Sequence, residues 1–212
     1  MTVAADRAAE ARGNPSARRE HILDAAETCF ARNGFHRTTM QDLAREAAMS
    51  PGNFYRYFES KEALVLGLVE RERERGTLLV AEMEGSGDPR GTLLGIIARY
   101  FASITREAAT LRVEIWSEST RNPDIAAMTA RTEAESRDWF VATLAALATA
   151  PGCDPAGLYA LLAPLMKGIV VGRAALPDYD VAAAIAQLHA LLDAGLDGRL
   201  PAPPLAGRHA GR

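Results

Sequence analysis

The segment Ser50 to Leu64, SPGNFYRYFESKEAL, places an amide, a guanidinium and two phenols within five positions. On a helix, Phe54 and Phe58 share one face because they are four residues apart, whereas Asn53, Arg56 and Tyr57 lie on another. We expect the phenylalanines to pack in a core. The second face carries groups that hydrogen-bond to base edges and phosphates. The segment therefore predicts nucleic-acid binding. A helical hairpin with its tyrosine hydroxyls at the surface is the alternative.

The residues around this segment predict the helices that must position it. Thr39 can cap a short helix from Met40 to Ala47, and Ser50 can cap a second helix with Pro51 at its first position. Gly52 lets the second backbone approach a surface closely. Two short helices joined by a minimal turn have helix-turn-helix geometry, in which the second helix enters the major groove.

Composition excludes several classes of protein. The 212 residues are 48% hydrophobic and carry a net charge of −3, and residues 1–75 are neutral overall, so any phosphate contacts must come from local geometry. The two cysteines form no disulfide framework or ligand pattern, and the four histidines are scattered. We therefore expect no metal and no cofactor. No signal peptide or membrane span is predicted, which favours a cytoplasmic protein.

Apolar residues recur at spacings of three and four, which predicts an all-α fold of about nine helices. The first helix is expected from Ser16, as its N-cap, to Asn33, with Gly34 as its stop. Further helices are predicted at 40–47, 51–57, 60–84, 92–108, 110–121, 124–149, 155–176 and 180–196. The expected organisation is a disordered arm at 1–15, a helix-turn-helix domain at 16–60, a helical effector-binding and dimerisation domain at 61–198, and a disordered tail at 199–212.

The segment Gly34 to Leu64, GFHRTTMQDLAREAAMSPGNFYRYFESKEAL, resembles the DNA-binding domain of the tetracycline-repressor-like (TetR-type) transcriptional regulators. The matching features lie at fixed spacing: Gly-Phe after the first helix, Thr-Thr before the second, Asp-Leu-Ala, Ser-Pro-Gly-Asn, Phe-Tyr, and Ser-Lys-Glu. The resemblance covers about residues 16–70. Further along, RVEIWSESTRNPDIAAM weakly resembles the branch that includes betaine- and choline-responsive repressors.

This resemblance implies a DNA-binding surface that includes Ser50, the cap of the reading helix. Base edges would be approached by Pro51, Gly52, Asn53 and Arg56, and phosphates would be held by Thr38, Thr39, Tyr55, Tyr57 and Lys61. One departure lies in the turn, where Ala48 stands in place of the family's common glycine. If this position needs a positive φ, alanine costs on the order of 1 kcal/mol.

The second half of the chain suggests a ligand pocket, because several large apolar residues recur at helical spacing. Glu114 and Glu118 are candidate polar anchors for such a ligand, and ordinary core packing is the alternative for each residue. The predicted lining residues are Tyr100, Phe101, Ile104, Trp116, Met128, Trp139 and Phe140.

The last two predicted helices are apolar on more than one face and therefore need two partners. One partner is the core, and the other is expected to be the same pair of helices, about 155–196, in a second subunit. By contrast, the alternating charges of RERER at 71–75 predict an exposed helix face.

These features together predict a homodimeric one-component transcriptional regulator, and the resemblance implies that it is a repressor. It would bind near-palindromic double-stranded operator DNA and be released by an unidentified small-molecule effector, with no membrane partner. The alternatives are a helical-bundle enzyme and a helical protein-interaction module without DNA binding. The enzyme is disfavoured because the sequence shows no paired carboxylates with histidine and no glycine-rich phosphate loop.

Overall fold

The computed structural model describes residues 14–84 and 86–200, and within residues 61–84 it leaves the side chains at 72–73 and 75–84 undescribed. This part of the chain contains helices and no strand, which confirms the all-α prediction. Residues 1–13 of the predicted disordered arm (1–15) and most of the predicted tail lie outside the described residues, whereas residues 14 and 15 form the cap and the first position of the first helix, so the prediction was wrong for these two. The helices are α1 Pro15–Asn33, α2 Met40–Glu46, α3 Pro51–Tyr55, α4 Lys61–Glu84, α5 Pro89–Ser103, α6 Arg106–Glu118, α7 Pro123–Leu147, α8 Pro155–Ala175 and α9 Val181–Leu196.

Helix α1 begins one residue before the predicted cap. The side chain of Asn14 accepts a hydrogen bond from the backbone N–H of Ser16, and Pro15 takes the first helical position, where its missing N–H costs nothing. The prediction that Ser16 caps the helix was therefore wrong. The end of α1 is as predicted, because Gly34 follows it with φ 82° and donates its N–H to the carbonyl of Phe30.

The turn between α2 and α3 is tight. Thr39 and Asp42 form a reciprocal capping box at the start of α2, and their hydrogen bonds lower the pKa of the Asp42 carboxyl. Ala48 then adopts φ 50°, the positive φ considered from the sequence, and is the one non-glycine residue with positive φ in the described chain. Ser50 occupies the cap position of α3 without a side-chain capping hydrogen bond, and α3 ends two residues earlier than predicted.

Helices α5 and α6 also begin at different residues from those predicted. Asp88 caps α5 by accepting a hydrogen bond from the N–H of Gly91, so the helix starts at Pro89 rather than at 92. Thr105 caps α6 in the same way, through the N–H of Ala108. These two caps shift both helices toward the N-terminus by about one turn.

Two groups of buried residues hold the fold together. The first is built from α1 to α4 around Phe30, Leu43 and Phe54, and it also includes Leu111 of α6 and Met128 of α7. The second fills the space between α5, α6, α7, α8 and α9. The helix-turn-helix unit therefore shares its core with α6 and α7. Because a close-packed core transmits strain, a displacement of either helix changes the packing of the N-terminal unit.

Helix α8 is apolar on two sides. Leu158, Leu162 and Ile169 are buried, whereas Leu161 and Leu165 are about 40% exposed. By length and composition alone this helix could also cross a membrane, and it is the one such helix found in the described residues. A core helix can have the same length and composition. This finding therefore does not explain why one side of α8 is exposed.

Candidate nucleic-acid interface and ligand cavity

Helix α3 divides its side chains as the sequence predicted. Phe54 is fully buried and Phe58, just beyond the helix, is 4% exposed. Gly52 and Arg56 are exposed, and Asn53 is partly exposed. A Cβ added to Gly52 would meet no atom within 4 Å, so none of the described residues covers that point of the helix. The result is a rigidly supported face with an amide, a guanidinium and accessible backbone.

Other residues of the predicted surface lie around this face. Ser50, Pro51 and Tyr55 are exposed, and so is Thr39 at the start of α2. The hydroxyl of Thr39 is hydrogen-bonded to the carboxylate of Asp42. The N-terminal ends of α2 and α3 thus present hydroxyl groups beside the exposed face of α3, an arrangement that suits contacts to phosphate oxygens.

Three residues of the predicted set have partners inside the protein. Thr38 is 1% exposed, and its hydroxyl donates to the carbonyl of Gly34. Lys61 donates to the carbonyl of Phe35 at 2.8 Å and lies over the Phe35 ring. Tyr57 is partly buried against the core of the N-terminal unit. In this structure these side chains support the turn between α1 and α2 and the packing of α3.

Helix α6 is joined to the turn between α1 and α2 by two carboxylates. Glu114 accepts a hydrogen bond from the backbone N–H of Phe35 at 2.6 Å, and Glu118, 8% exposed, lies 2.6 Å from Nε2 of His36. We call these four residues the junction. The suggestion that Glu114 or Glu118 anchors a ligand in the cavity was wrong, because both side chains point to the N-terminal unit and neither lines the cavity.

A cavity of about 700 Å³ lies between the helices of the C-terminal half and is also bordered by α1 and α4. This volume is typical of small-molecule sites. Of the seven residues predicted to line such a pocket, Ile104 does not border the cavity. The six that do are Tyr100, Phe101, Trp116, Met128, Trp139 and Phe140.

The walls of the cavity are mainly aromatic and aliphatic. Trp139 and Phe140 pack edge to face with ring centroids 4.7 Å apart, and Phe140 is 5.8 Å from Tyr159. Burial raises the pKa of the Tyr159 hydroxyl and so moves it further above physiological pH. Apolar molecules can bind to such walls through burial of surface and ring contacts.

Arg71 of α4 lies at the edge of the cavity nearest to the N-terminal unit. It is 4% exposed and donates to Asp24 at 2.7 Å and to Glu27 at 2.6 Å, with Glu20 at 3.8 Å. The prediction that RERER forms an exposed face was therefore wrong for Arg71. A buried arginine of this kind requires paired carboxylates, and α1 supplies them.

The sequence carries a signal for this ion cluster that the predictions for α1 and RERER do not include. Glu20, Asp24 and Glu27 are spaced four and three residues apart, so they form one acidic stripe along α1. A basic residue on a neighbouring helix is the natural partner for such a stripe. For Glu114 and Glu118 no comparable signal exists, because their partners lie about eighty residues away in the sequence.

Comparison with known proteins assigns the family. A family model described as bacterial regulatory proteins of the tetR family matches residues 22–68, and the model for the C-terminal part of BetI-type transcriptional repressors matches residues 89–197, about half of the chain. The chain belongs to the TetR family. This confirms the family predicted from the residues between Gly34 and Leu64.

Individual proteins are similar to this chain over different lengths of their sequences. The HTH-type transcriptional regulator UidR of Escherichia coli K12 is 37% identical over 114 residues, which cover 52% of this chain and 56% of UidR. The chain thus matches only about half the length of this relative. The solved structure of Salmonella enterica GusR is 27% identical, with a TM-score of 0.71 over 87% of this chain and 97% of GusR.

A further solved structure has the same fold as this chain but a low sequence identity to it. It is a transcriptional regulator from Saccharomonospora viridis in complex with choline, 21% identical, with a TM-score of 0.70 over 82% of this chain and 95% of that one. These neighbours confirm that a helix-turn-helix unit is followed by a helical C-terminal bundle.

Proposed function

We propose that this TetR-family protein is a transcriptional repressor that binds operator DNA as a homodimer and is released by a small molecule bound in the cavity. The observation that carries the proposal is the exposed face of α3, where Gly52, Asn53 and Arg56 stand clear of a buried Phe54. The protein acts by binding rather than by catalysis, in the cytoplasm, where its operator would be. The proposed domains divide at about residue 60.

Within the proposed interface, residues of α3 read the bases. Asn53 can pair with adenine and Arg56 with guanine, each contributing about 1–3 kcal/mol of discrimination. Thr39, Ser50 and Tyr55 are placed to contact the phosphates. Thr38, Tyr57 and Lys61 are proposed to serve the same interface by holding these elements in position through their internal contacts.

Support for a dimer comes from the exposed sides of α8 and α9. On α8, Leu161, Leu165 and Val171 form an exposed apolar stripe with Gly168, and on α9 the exposed residues include several alanines. A Cβ at Gly168 would meet nothing within 4 Å in the protomer. Small residues beside leucines allow close packing of helices, so the same pair from a second subunit fits this surface.

A twofold dimer places two α3 helices in successive major grooves about 34–36 Å apart. A ligand that favours a different separation must weaken DNA binding, by the same factor by which DNA weakens ligand binding. Helix α6 is suited to transmit this change, because Leu111, Ile115 and Trp116 line the cavity while Glu114 and Glu118 hold the junction. The choline complex of the Saccharomonospora viridis protein supports the proposal that a bundle of this fold can hold a small molecule.

The proposal is tested by selecting bound duplexes from a random DNA pool at near-physiological salt. We expect the wild type to enrich a near-palindrome, and we expect an Asn53→Ala, Arg56→Ala double variant to lose its sequence preference while remaining folded. Arg137→Ala, which changes an exposed arginine of α7, is the control and should enrich the wild-type motif. A double variant that selects the same motif as the wild type would show that α3 does not read the bases.

A pair of glycine variants tests the close approach of the α3 backbone to DNA. Neither Gly52 nor Gly95 has an atom within 4 Å of an added Cβ, and alanine favours a helix over glycine, so neither Gly52→Ala nor Gly95→Ala should destabilise the fold. We expect Gly52→Ala to weaken operator binding at least tenfold and Gly95→Ala to leave it unchanged. Gel-shift titration on the selected operator measures both affinities.

A further inference from the structure

Two buried polar atoms of residues that line the cavity have no hydrogen-bond partner among the described residues. They are Nε of Arg71, on α4, and Oγ1 of Thr129, on α7. Buried donors and hydroxyls are nearly always paired, because leaving them unpaired is unfavourable. Both atoms belong to side chains of the cavity wall but are buried beneath its surface, so a ligand can pair with either of them only if it supplies an oxygen and the side chain turns toward it.

The charges around Arg71 decide which kind of oxygen fits. Its terminal nitrogens already hold Asp24 and Glu27, and Glu20 lies 3.8 Å away. Three carboxylates therefore surround one guanidinium. An anionic ligand group placed at Nε would meet this excess of negative charge in a partly desolvated site, whereas a hydroxyl or carbonyl oxygen can accept the hydrogen bond without adding charge.

The aromatic rings of the cavity argue equally against a cationic ligand. Nζ of Lys167 lies over the Trp116 ring at 5.8 Å, and the Arg112 guanidinium lies over the Tyr100 ring at 5.2 Å. Lys167 is also paired with Glu133 at 3.0 Å. An organic cation would have to compete with these side chains for the rings and for the carboxylate.

We propose that the cavity binds a neutral, largely apolar molecule that carries a hydroxyl or carbonyl oxygen. The oxygen pairs with the hydroxyl of Thr129, or accepts a hydrogen bond from Nε of Arg71, once that side chain has turned toward the cavity, and the apolar body packs against Trp139, Phe140 and Tyr159. Threonine in a helix occupies two χ1 wells, so a side-chain rotation is sufficient to turn the Thr129 hydroxyl toward the ligand. This inference rests on the proposed function, because it names the ligand class of the same cavity.

The test uses four probes with one alkyl body and different head groups: 1-octanol, 2-octanone, octanoate and octyltrimethylammonium. Isothermal titration calorimetry on the full chain measures their affinities. We expect the two neutral probes to bind at least tenfold more tightly than either charged probe. Tighter or equal binding of octanoate or octyltrimethylammonium overturns the proposal, and so does failure of both neutral probes to bind.

A matched pair of variants tests the role of the Thr129 hydroxyl. Thr129 and Thr132 both line the cavity from α7, but the hydroxyl of Thr132 already donates to the carbonyl of Met128 at 3.1 Å. Thr129→Val should weaken 1-octanol binding by about three- to tenfold, the range of one hydrogen bond. Thr132→Val should change it by less than twofold. Equal losses in both variants would contradict a specific role for Thr129.

A separate measurement distinguishes this inference from the proposed function. The same probes are added to the complex of the protein with its selected operator. Neutral probes that bind as predicted but do not release DNA would uphold the cavity chemistry and contradict effector control. Charged probes that bind more tightly and release DNA would uphold effector control and overturn the neutral ligand class.

Discussion

Ala48 adopts a left-handed backbone conformation in the turn that sets the angle between α2 and α3. The position is singled out from the sequence because the family that this segment resembles commonly has a glycine there, a residue that tolerates positive φ. Its φ of 50° is unfavourable for any residue with a Cβ. The turn is therefore maintained by the packing of Leu43, Ala44 and Phe54 around it rather than by local preference.

Replacing Ala48 by glycine should stabilise the protein. Relief of the left-handed strain, less the added entropy of the unfolded chain, gives about 1 kcal/mol, which corresponds to a rise in Tm of about 2–4 °C for a chain of this size. Differential scanning calorimetry measures the change. Ala47→Gly is the control, because Ala47 has φ −75° and should lower Tm. A lower Tm for Ala48→Gly would show that the methyl group contributes more than the strain costs.

At the scale of the elements, helix α6 has two faces with different roles. One face borders the cavity, and the other provides the carboxylates of the junction. Trp116 could be placed near the cavity from the sequence, because it lies on a helix between two aromatic groups at helical spacing, but the positions of Glu114 and Glu118 could not be predicted in this way. Their partners, Phe35 and His36, are brought to α6 only by the tertiary packing of α1 on α6 and α7.

Removing the Glu114 carboxylate should loosen the junction. Glu114→Ala leaves the partly buried N–H of Phe35 without its acceptor, so we expect a loss of about 1–3 kcal/mol in the free energy of unfolding. Glu114→Gln retains an acceptor and should recover most of this loss. Urea denaturation measures both variants, with Ser117→Ala, an exposed residue of the same helix, as the control. A loss no larger than that of the control would mean that the junction contributes little.

Helix α5 is tied to the end of α9 by one arginine. Arg90 is 2.7 Å from Asp197 and 2.6 Å from Asp193. The hydrogen bond from Arg90 lowers the pKa of the Asp197 carboxyl well below its usual range. A lowered pKa in the folded state means that this interaction stabilises the fold above the unfolded pKa of about 3.9 and is lost as pH falls below it.

The resulting prediction concerns stability in acid. The difference in unfolding free energy between wild type and Asp197→Asn should be largest above pH 5 and should shrink steadily as pH falls through the range below about 4. Urea denaturation at pH 6 and pH 3 measures it. Asp178→Asn, in the exposed turn after α8, serves as the matched control. A difference that does not change with pH would exclude the pairing with Arg90 as its source.

At the scale of the whole molecule, the protein has features that one protomer alone does not explain. Local signals predicted the helices, their order and most cavity residues, since these depend on periodicity and caps. The ion cluster of Arg71 and the junction depend on which helices meet in three dimensions. For the exposed stripe of α8, amphipathicity predicts a partner surface, and the second subunit that would cover it is a proposal.

The proposed dimer is tested by introducing a charged side chain into the exposed apolar stripe of α8. Leu165 is 40% exposed in the protomer, so Leu165→Glu should leave the fold intact and convert a dimer to a monomer. Operator affinity should fall with it, because each protomer reads only one half-site. Leu66→Glu, which changes a leucine of α4 that is 44% exposed, is the control and should remain dimeric. Light scattering coupled to size exclusion gives the mass, and a dimeric Leu165→Glu would place the interface elsewhere.

The position of the aromatic residues also gives the molecule an optical property. The chain contains two tryptophans, Trp116 and Trp139, and both line the cavity. Indole emission depends on the polarity and mobility of its surroundings, so the tryptophan fluorescence of the unlabelled protein, excited at wavelengths that tyrosine does not absorb, originates at the cavity wall. Compound libraries can therefore be screened by emission wavelength alone. The same signal, followed after mixing with operator DNA, reports in real time whether DNA binding changes the surroundings of the two tryptophans at the cavity.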